Sequence, residues 1–202
     1  VRVLDLFCGA GGASAGYVLA GHTVVGVDIN PQRHYPFEFH QADALTFPLE
    51  GFDFVHASPP CQRYSSATPS AYRALWPDLV APIRDRLESS GLPYVIENVP
   101  GAPLRVDVML CGVMFGKPIA RHRIFESNVA LWAPHHREHP SGLVTITGGG
   151  PCNLPARPGI GGRRCKPTAD EARTIMEMPW ATKAEMNEAI PPAYTMWIGM
   201  QL

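Results

Sequence analysis

The sequence predicts an α/β fold built on a doubly wound, mostly parallel sheet. Three observations lead there: short apolar runs alternate with helical stretches, a glycine-rich turn follows the first run, and an acid closes the second. Residues 3–7 read as a buried strand, which Cys8-Gly9-Ala10-Gly11-Gly12 turns into a helix over 13–19. A second strand over 23–27 ends on Asp28, completing the opening unit of such a sheet. Apolar runs at 52–57, 94–96 and 108–113 supply further strands, with helix around 71–88 between them. From 132 to 166 the chain turns to His, Pro and Gly, and only 143–146 resemble a strand. This stretch reads as a small irregular insertion in a main domain made of 1–131 and 167–202. Thr168 with Glu171 and Thr182 with Glu185 match the capping box, so two helices are expected to close the chain, joined through Met178-Pro179-Trp180.

At 202 residues, 46% of them hydrophobic and 17% charged, the chain fills about one domain and is no disordered polymer. Its 21 prolines and 19 glycines stay below the share that marks low complexity, so they signal turns and long connections. No apolar run approaches the roughly 18 residues of a membrane span, and no leader pattern opens at Val1, which makes a soluble, unsecreted, cytoplasmic protein the expectation. The five cysteines are odd in number and form no CxxC pair. Free thiols are expected, not a disulfide framework, and no metal site. His135, His136 and His139 with Cys152 and Cys165 match no common zinc spacing and read as solvated loop residues.

The net charge of -1 hides an uneven distribution. Residues 1–100 carry six Lys or Arg against ten Asp or Glu, while 101–202 carry eleven against eight. Arg157, Arg163, Arg164 and Lys166 fall within ten residues free of acids, a pattern suited to nucleic acid. The blander reading is coding bias, since arginines outnumber lysines fourteen to three.

Three strand ends carry candidate chemistry. The glycine turn lets a ligand approach the backbone, and Asp28 can accept hydrogen bonds from ribose hydroxyls, although such turns also serve geometry alone. Cys61 follows a buried strand in Ser58-Pro59-Pro60-Cys61-Gln62, where the prolines stiffen its approach. A lone cysteine is most often a small hydrophobe, and a nucleophilic one needs cationic neighbours or a base. Glu97, after Tyr94-Val95-Ile96, sits where partial burial raises a carboxyl pKa toward neutrality; a turn cap is the alternative.

Asp5-Leu6-Phe7-Cys8-Gly9-Ala10-Gly11-Gly12, Pro59-Pro60-Cys61-Gln62, Glu97-Asn98-Val99 and Arg121-His122-Arg123 occur in the order of the signature motifs of DNA (cytosine-5) methyltransferases. The chain resembles that family over residues 1–126, and Ala189-Ile190-Pro191-Pro192 is similar to a degenerate closing motif. The resemblance implies S-adenosylmethionine as cofactor, held by Phe7, Gly9, Gly11, Gly12, Asp28, Ile29, Asp43, Ala44 and Pro60. It implies Cys61 as nucleophile at cytosine C6, Glu97 on the N3 and amino edge, Arg121 as support and Arg123 at O2. Gln62 and Ser65 would meet nucleic acid, with Arg157, Arg163, Arg164 and Lys166 on phosphates.

The chain also departs from the family pattern. Ile119 stands where a glutamine usually opens the arginine motif, and Asn187-Glu188 falls on the usual Gly-Asn pair, putting a negative charge close to the cofactor where it weakens or alters binding. Only about forty residues separate Arg123 from the basic cluster at Arg163, so 132–166 is a short version of a target-recognition region. The expected activity is that of a monomeric DNA methyltransferase of phage or restriction-modification type, forming 5-methylcytosine on a flipped or single-stranded cytosine. Alternatives are the same chemistry on RNA, a modified sulfonium donor, or a non-catalytic DNA-binding homologue. A nicotinamide oxidoreductase would leave Pro59-Pro60-Cys61-Gln62 without purpose.

Overall fold

Runs of aliphatic residues form the central strands of the computed structural model, which describes residues 1–146 and 166–202. β1 (Arg2–Leu6), β2 (Thr23–Asp28), β4 (Phe54–Ala57) and β5 (Tyr94–Asn98) are buried along most of their length, as strands covered on both faces must be. β3 (Glu38–Gln41) lies at one edge, and β6 (Val108–Leu110) with β7 (Arg123–Ser127) at the other. The strand order is β3-β2-β1-β4-β5-β7-β6, with β7 antiparallel to both neighbours and the other pairs parallel. This is the expected doubly wound sheet.

Side-chain alternation along the strands divides the core in two. Leu4, Leu6, Val25 and Ile96 pack on one face with Ile83 and Leu87 of α3 (Val80–Ser90). Val3, Phe54, Val95 and Phe125 pack on the other, against Tyr17 of α1 (Gly12–Leu19) and Tyr194 and Ile198 of the last helix, Pro192–Gly199. The first and last helices meet closely, with Thr195 Oγ1 donating to the Ala13 carbonyl at 2.7 Å. At the far edge, buried Glu126 of β7 receives two N–H groups of Arg84, at 2.6 and 2.7 Å, and the Arg105 amide at 2.7 Å.

Several elements depart from expectation. β3 is short, polar and exposed, and β7 opens on the arginine motif, so neither has the apolar signature of a buried strand. Helix around 71–88 breaks into α2 (Ser70–Arg73) and α3; the turn between them contains Pro77, which lacks a donor for a continuous helix. Residues 143–146 form no strand, contributing only a bridge between Val144 and Ile119. Both capping boxes form, at the starts of α4 (Ala169–Met176) and α5 (Lys183–Glu188). A third closing helix, α6, then follows, opened by Pro192 at a first-turn position where its missing N–H costs nothing. Among the described residues no helix is long and apolar enough to cross a membrane.

Candidate active site

The carboxyl ends of β1, β2, β4 and β5 open into a cavity of about 400 Å³ lined by Asp5, Phe7, Gly9, Asp28, Pro60 and Glu97, among others. Gly11 carries φ +82° at the start of α1, and a Cβ there would lie 2.9 Å from the Tyr35 ring. At Gly12 a Cβ would lie 2.4 Å from the Ile190 carbonyl oxygen, so the turn and the closing segment can touch only through glycine. Phe7 holds φ +60°, a left-handed conformation that non-glycine residues seldom adopt, and thereby carries its ring to the cavity. Trp180 Nε1 donates to the Ala10 carbonyl at 2.7 Å, tying the turn to the segment between α4 and α5.

Asp28 has its carboxylate fixed by the Gly9 amide at 3.1 Å and the Asn30 amide at 2.9 Å. Its free lone pairs remain for a ligand hydroxyl, and the exposed Ile29 beside it offers an apolar surface to a flat ring. Asp5, one of the residues lining the cavity, is fully buried; Oδ2 bonds to Ser14, while Oδ1 is buried with no hydrogen-bond partner among the described residues. Burial raises the Asp5 pKa to about 7, against the opposing Ser14 hydrogen bond and with help from Asp28 and Glu97. A ligand with positive charge near Oδ1 would relieve that penalty. Asp43 and Ala44 stand elsewhere: Asp43 accepts the Leu45 amide in an exposed turn, and Ala44 is buried with its carbonyl on Arg86. Gly11 shapes the turn without lining the cavity.

A second cavity of about 670 Å³ lies on the other side of Cys61, and both cavities share Cys61, Gln62, Arg123 and Glu188. The Cys61 carbonyl accepts the Tyr64 and Ser65 amides, so the cysteine begins a tight turn. Asn98 Nδ2 donates to the Pro59 carbonyl at 2.9 Å and fastens the Pro-Pro-Cys loop to β5. Glu97 Oε1 lies 2.9 Å from Arg123 Nε. Burial raises the Glu97 pKa, while Arg123, a Ser58 hydrogen bond and Arg121 pull against it. Burial likewise lifts the Cys61 thiol, with Arg123 and Arg121 favouring the thiolate and Glu97 opposing it.

Arg121 is buried, its guanidinium donating to the Ile146 and Asn187 carbonyls. It supports the wall of the larger cavity, and its charge is disfavoured by burial and by Arg123. Gln62 and Ser65 line the same cavity, and Gln62 Oε1 is buried without a partner among the described residues. Arg157, Arg163 and Arg164, with Cys152 and Cys165, lie outside the described residues; Lys166 is half-buried beside α4.

Sequence reasoning missed a buried chain behind Glu97. The Tyr17 hydroxyl lies 3.0 Å from His56 Nδ1, His56 Nε2 lies 2.8 Å from Ser58 Oγ, and Ser58 bonds to Glu97. Burial keeps Tyr17 protonated and, pushing the His56 pKa down to about 3, keeps the imidazole neutral; because Ser58 gives its one proton to Glu97, it accepts from His56 Nε2, and Nδ1 accepts from the tyrosine. The proton then sits on Nε2, and each donor in the series points toward the carboxylate. Ser58 and His56 stood in the quoted strand and loop, but only packing shows their alignment.

A family model described as C-5 cytosine-specific DNA methylase matches residues 1–102. Among solved structures, a mutant of Spodoptera frugiperda DNMT2 aligns with a TM-score of 0.64 at 14% identity, covering 98% of this chain and 98% of that one. S. pombe Dnmt2 methyltransferase gives 0.62 at 15% identity over 99% and 97%, and Entamoeba histolytica methyltransferase EhMeth gives 0.61 at 13% over 98% and 96%. No curated protein matches the sequence. These likenesses are of fold, and the fold is that of S-adenosylmethionine-dependent methyltransferases. The smaller cavity fits this cofactor: Asp28 for ribose hydroxyls, Ile29 beside a flat base, and the orphaned Asp5 Oδ1 for its positive charge.

Proposed function

Since the chain belongs to the C-5 cytosine-specific DNA methylase family, we propose that it methylates C5 of cytosine in a nucleic acid through a transient Cys61 adduct. The supporting observation is the position of Cys61 on the wall between the two cavities, with the Glu97–Arg123 pair beside it. Intact geometry here weighs against a non-catalytic homologue.

Bound S-adenosylmethionine supplies an electrophilic methyl group. Cys61 adds its thiolate to C6, which breaks the aromatic conjugation that makes C5 a poor nucleophile. Glu97, with its raised pKa, holds the N3 edge and can share a proton there as charge develops. Arg123 orients Glu97 and reaches the O2 side. After C5 is methylated, loss of its proton to a base restores the double bond and expels the Cys61 sulfur.

The compact chain favours a cytosine that is already unstacked, in an RNA loop or single-stranded DNA, over one inside a duplex. Flipping a duplex base costs a few kcal/mol, which a large recognition region would otherwise offset through added contacts. Residues 132–166 serve as the reduced recognition segment in this reading, with Arg157, Arg163, Arg164 and Lys166 on phosphates.

The test is incubation with labelled S-adenosylmethionine and, separately, duplex DNA, single-stranded DNA and hairpin RNA, followed by nucleoside mass spectrometry. 5-Methylcytosine is expected, formed faster on unstacked substrates. Cys61→Ser should abolish it with cofactor binding retained, and Glu97→Gln should slow it roughly 10²–10⁴-fold. Turnover by Cys61→Ser, or a product other than 5-methylcytosine, overturns the reading; faster turnover on duplex DNA overturns the preference.

A further inference from the structure

Four side chains outside the catalytic cluster converge at the β6–β7 edge. Cys111 Sγ lies 3.5 Å from His139 Nε2, and His136 Nε2 lies 3.2 Å from His122 Nε2 and 3.3 Å from His139 Nε2. All four donor atoms fall within 4.8 Å of one another. We propose that Cys111, His122, His136 and His139 form a closed, four-ligand zinc site.

Three of the six donor–donor edges match a metal shell, and the other three lie within 4.8 Å. A tetrahedral zinc with bonds of about 2.0–2.1 Å to nitrogen and about 2.3 Å to sulfur has N–N edges of about 3.3 Å and N–S edges of about 3.6 Å. Hydrogen bonding among the histidines explains the cluster less well. A neutral Nε2 offers either one proton or one lone pair, whereas His136 Nε2 faces two other Nε2 atoms at once. A cation accepts every lone pair together.

The fold explains how the ligands meet. Leu110 pairs with Arg123 across β6 and β7, and continuing that antiparallel register sets Cys111 opposite His122. His136 and His139 come from a segment without helix or strand. Four protein ligands leave no open position, which makes the ion structural. It would pin residues 136–139 beside the arginine motif, while Leu143, Val144 and Ile146 of the same segment wall the larger cavity. The site departs from the expectation of no metal, and the loop histidines 136 and 139 are half-buried, unlike His135. The separation of Cys111 from His122 and His136 in sequence hides the set, because the β6–β7 pairing joins only Cys111 to His122 and a separate irregular segment adds His136 and His139.

The test uses the full chain, dialysed against zinc, freed of unbound metal and measured by elemental analysis, with cobalt(II) as a second probe. One zinc per chain is expected, and cobalt should give tetrahedral d–d bands with a sulfur-to-cobalt charge-transfer band. Cys111→Ser should lose the charge-transfer band, while Cys61→Ser and His135→Ala keep it. Because Cys111 is buried and its replacement can unsettle the fold, His139→Cys supplies a gain of signal: a second sulfur should strengthen the band. Folded protein that takes up neither metal overturns the proposal, as does a band that survives Cys111→Ser and disappears with Cys152→Ser or Cys165→Ser. None of these readouts depends on methyl transfer, so failure here leaves the proposed activity untouched.

Discussion

Arg123 Nε stands 2.9 Å from Glu97 Oε1, and both side chains are nearly buried beside Cys61. The guanidinium therefore acts on two groups of opposite need. It draws the thiol toward its thiolate while holding the carboxyl below the pKa that burial alone would impose.

The resting thiol remains raised, because burial outweighs the arginines. Alkylation of Cys61 by iodoacetamide in the free protein should be slow near neutral pH and accelerate as pH rises. Removing a cation disfavours the thiolate, so Arg123→Gln should move the alkylation midpoint to higher pH. Peptide mass spectrometry separates Cys61 from the buried Cys8 and Cys111. Full reactivity near neutrality, or a midpoint that falls in Arg123→Gln, would contradict this account.

Ser58 is the last donor in the chain from Tyr17 through His56 to Glu97. Ser58→Ala removes a hydrogen bond to a carboxylate, an interaction of about 1.5–3 kcal/mol, and should raise the Glu97 pKa by at least about one unit. NMR titration of the labelled Glu97 carboxyl measures the midpoint directly. An unmoved midpoint would assign Ser58 to packing alone.

Strand ends were the legible part of this site. Cys61 and Glu97 follow apolar runs, and the glycine turn follows another, so their residue types and positions announce one sheet edge. The Tyr17–His56–Ser58 chain was not legible, because it joins a helix to a strand through the core, and no spacing encodes that meeting. Gln62 shows an intermediate case: its place beside Cys61 was visible, its buried, unpartnered Oε1 only in three dimensions. Asp43 stands apart from the residues lining the cavity, its carboxylate accepting the Leu45 amide in an exposed turn.

Glu188 ends α5 at the rim shared by both cavities, on the position where the family pattern has asparagine. Against the expectation that this charge weakens binding, it should favour the cationic cofactor over the neutral S-adenosylhomocysteine left after transfer. For an exposed charge the effect is small, so Glu188→Gln should weaken S-adenosylmethionine binding about two- to fivefold and leave the product's affinity unchanged. Calorimetry with both ligands decides it; equal changes in both affinities would remove charge as the cause.

Asp5 links cofactor binding to stability. Its carboxyl is fully buried on a residue that lines the cavity, and burial raises its pKa from 3.8 to about 7. A carboxyl raised in the folded state favours folding most below its unfolded pKa, and that advantage is lost as pH climbs through the folded value. The apoprotein should therefore lose a few kcal/mol of stability between about pH 4 and pH 7, with little further loss from this group above that range. Asp5→Asn cannot ionise, so it should flatten this dependence and unfold at a higher temperature than the parent near pH 8, with the difference shrinking toward pH 4. The same change removes a negative charge beside the cofactor cavity and should weaken S-adenosylmethionine binding. Thermal unfolding across this pH range, with and without cofactor, tests both halves. An Asp5→Asn protein less stable than the parent at pH 8 would show that the carboxylate is accommodated, and the proposed strain at the cofactor cavity would be wrong.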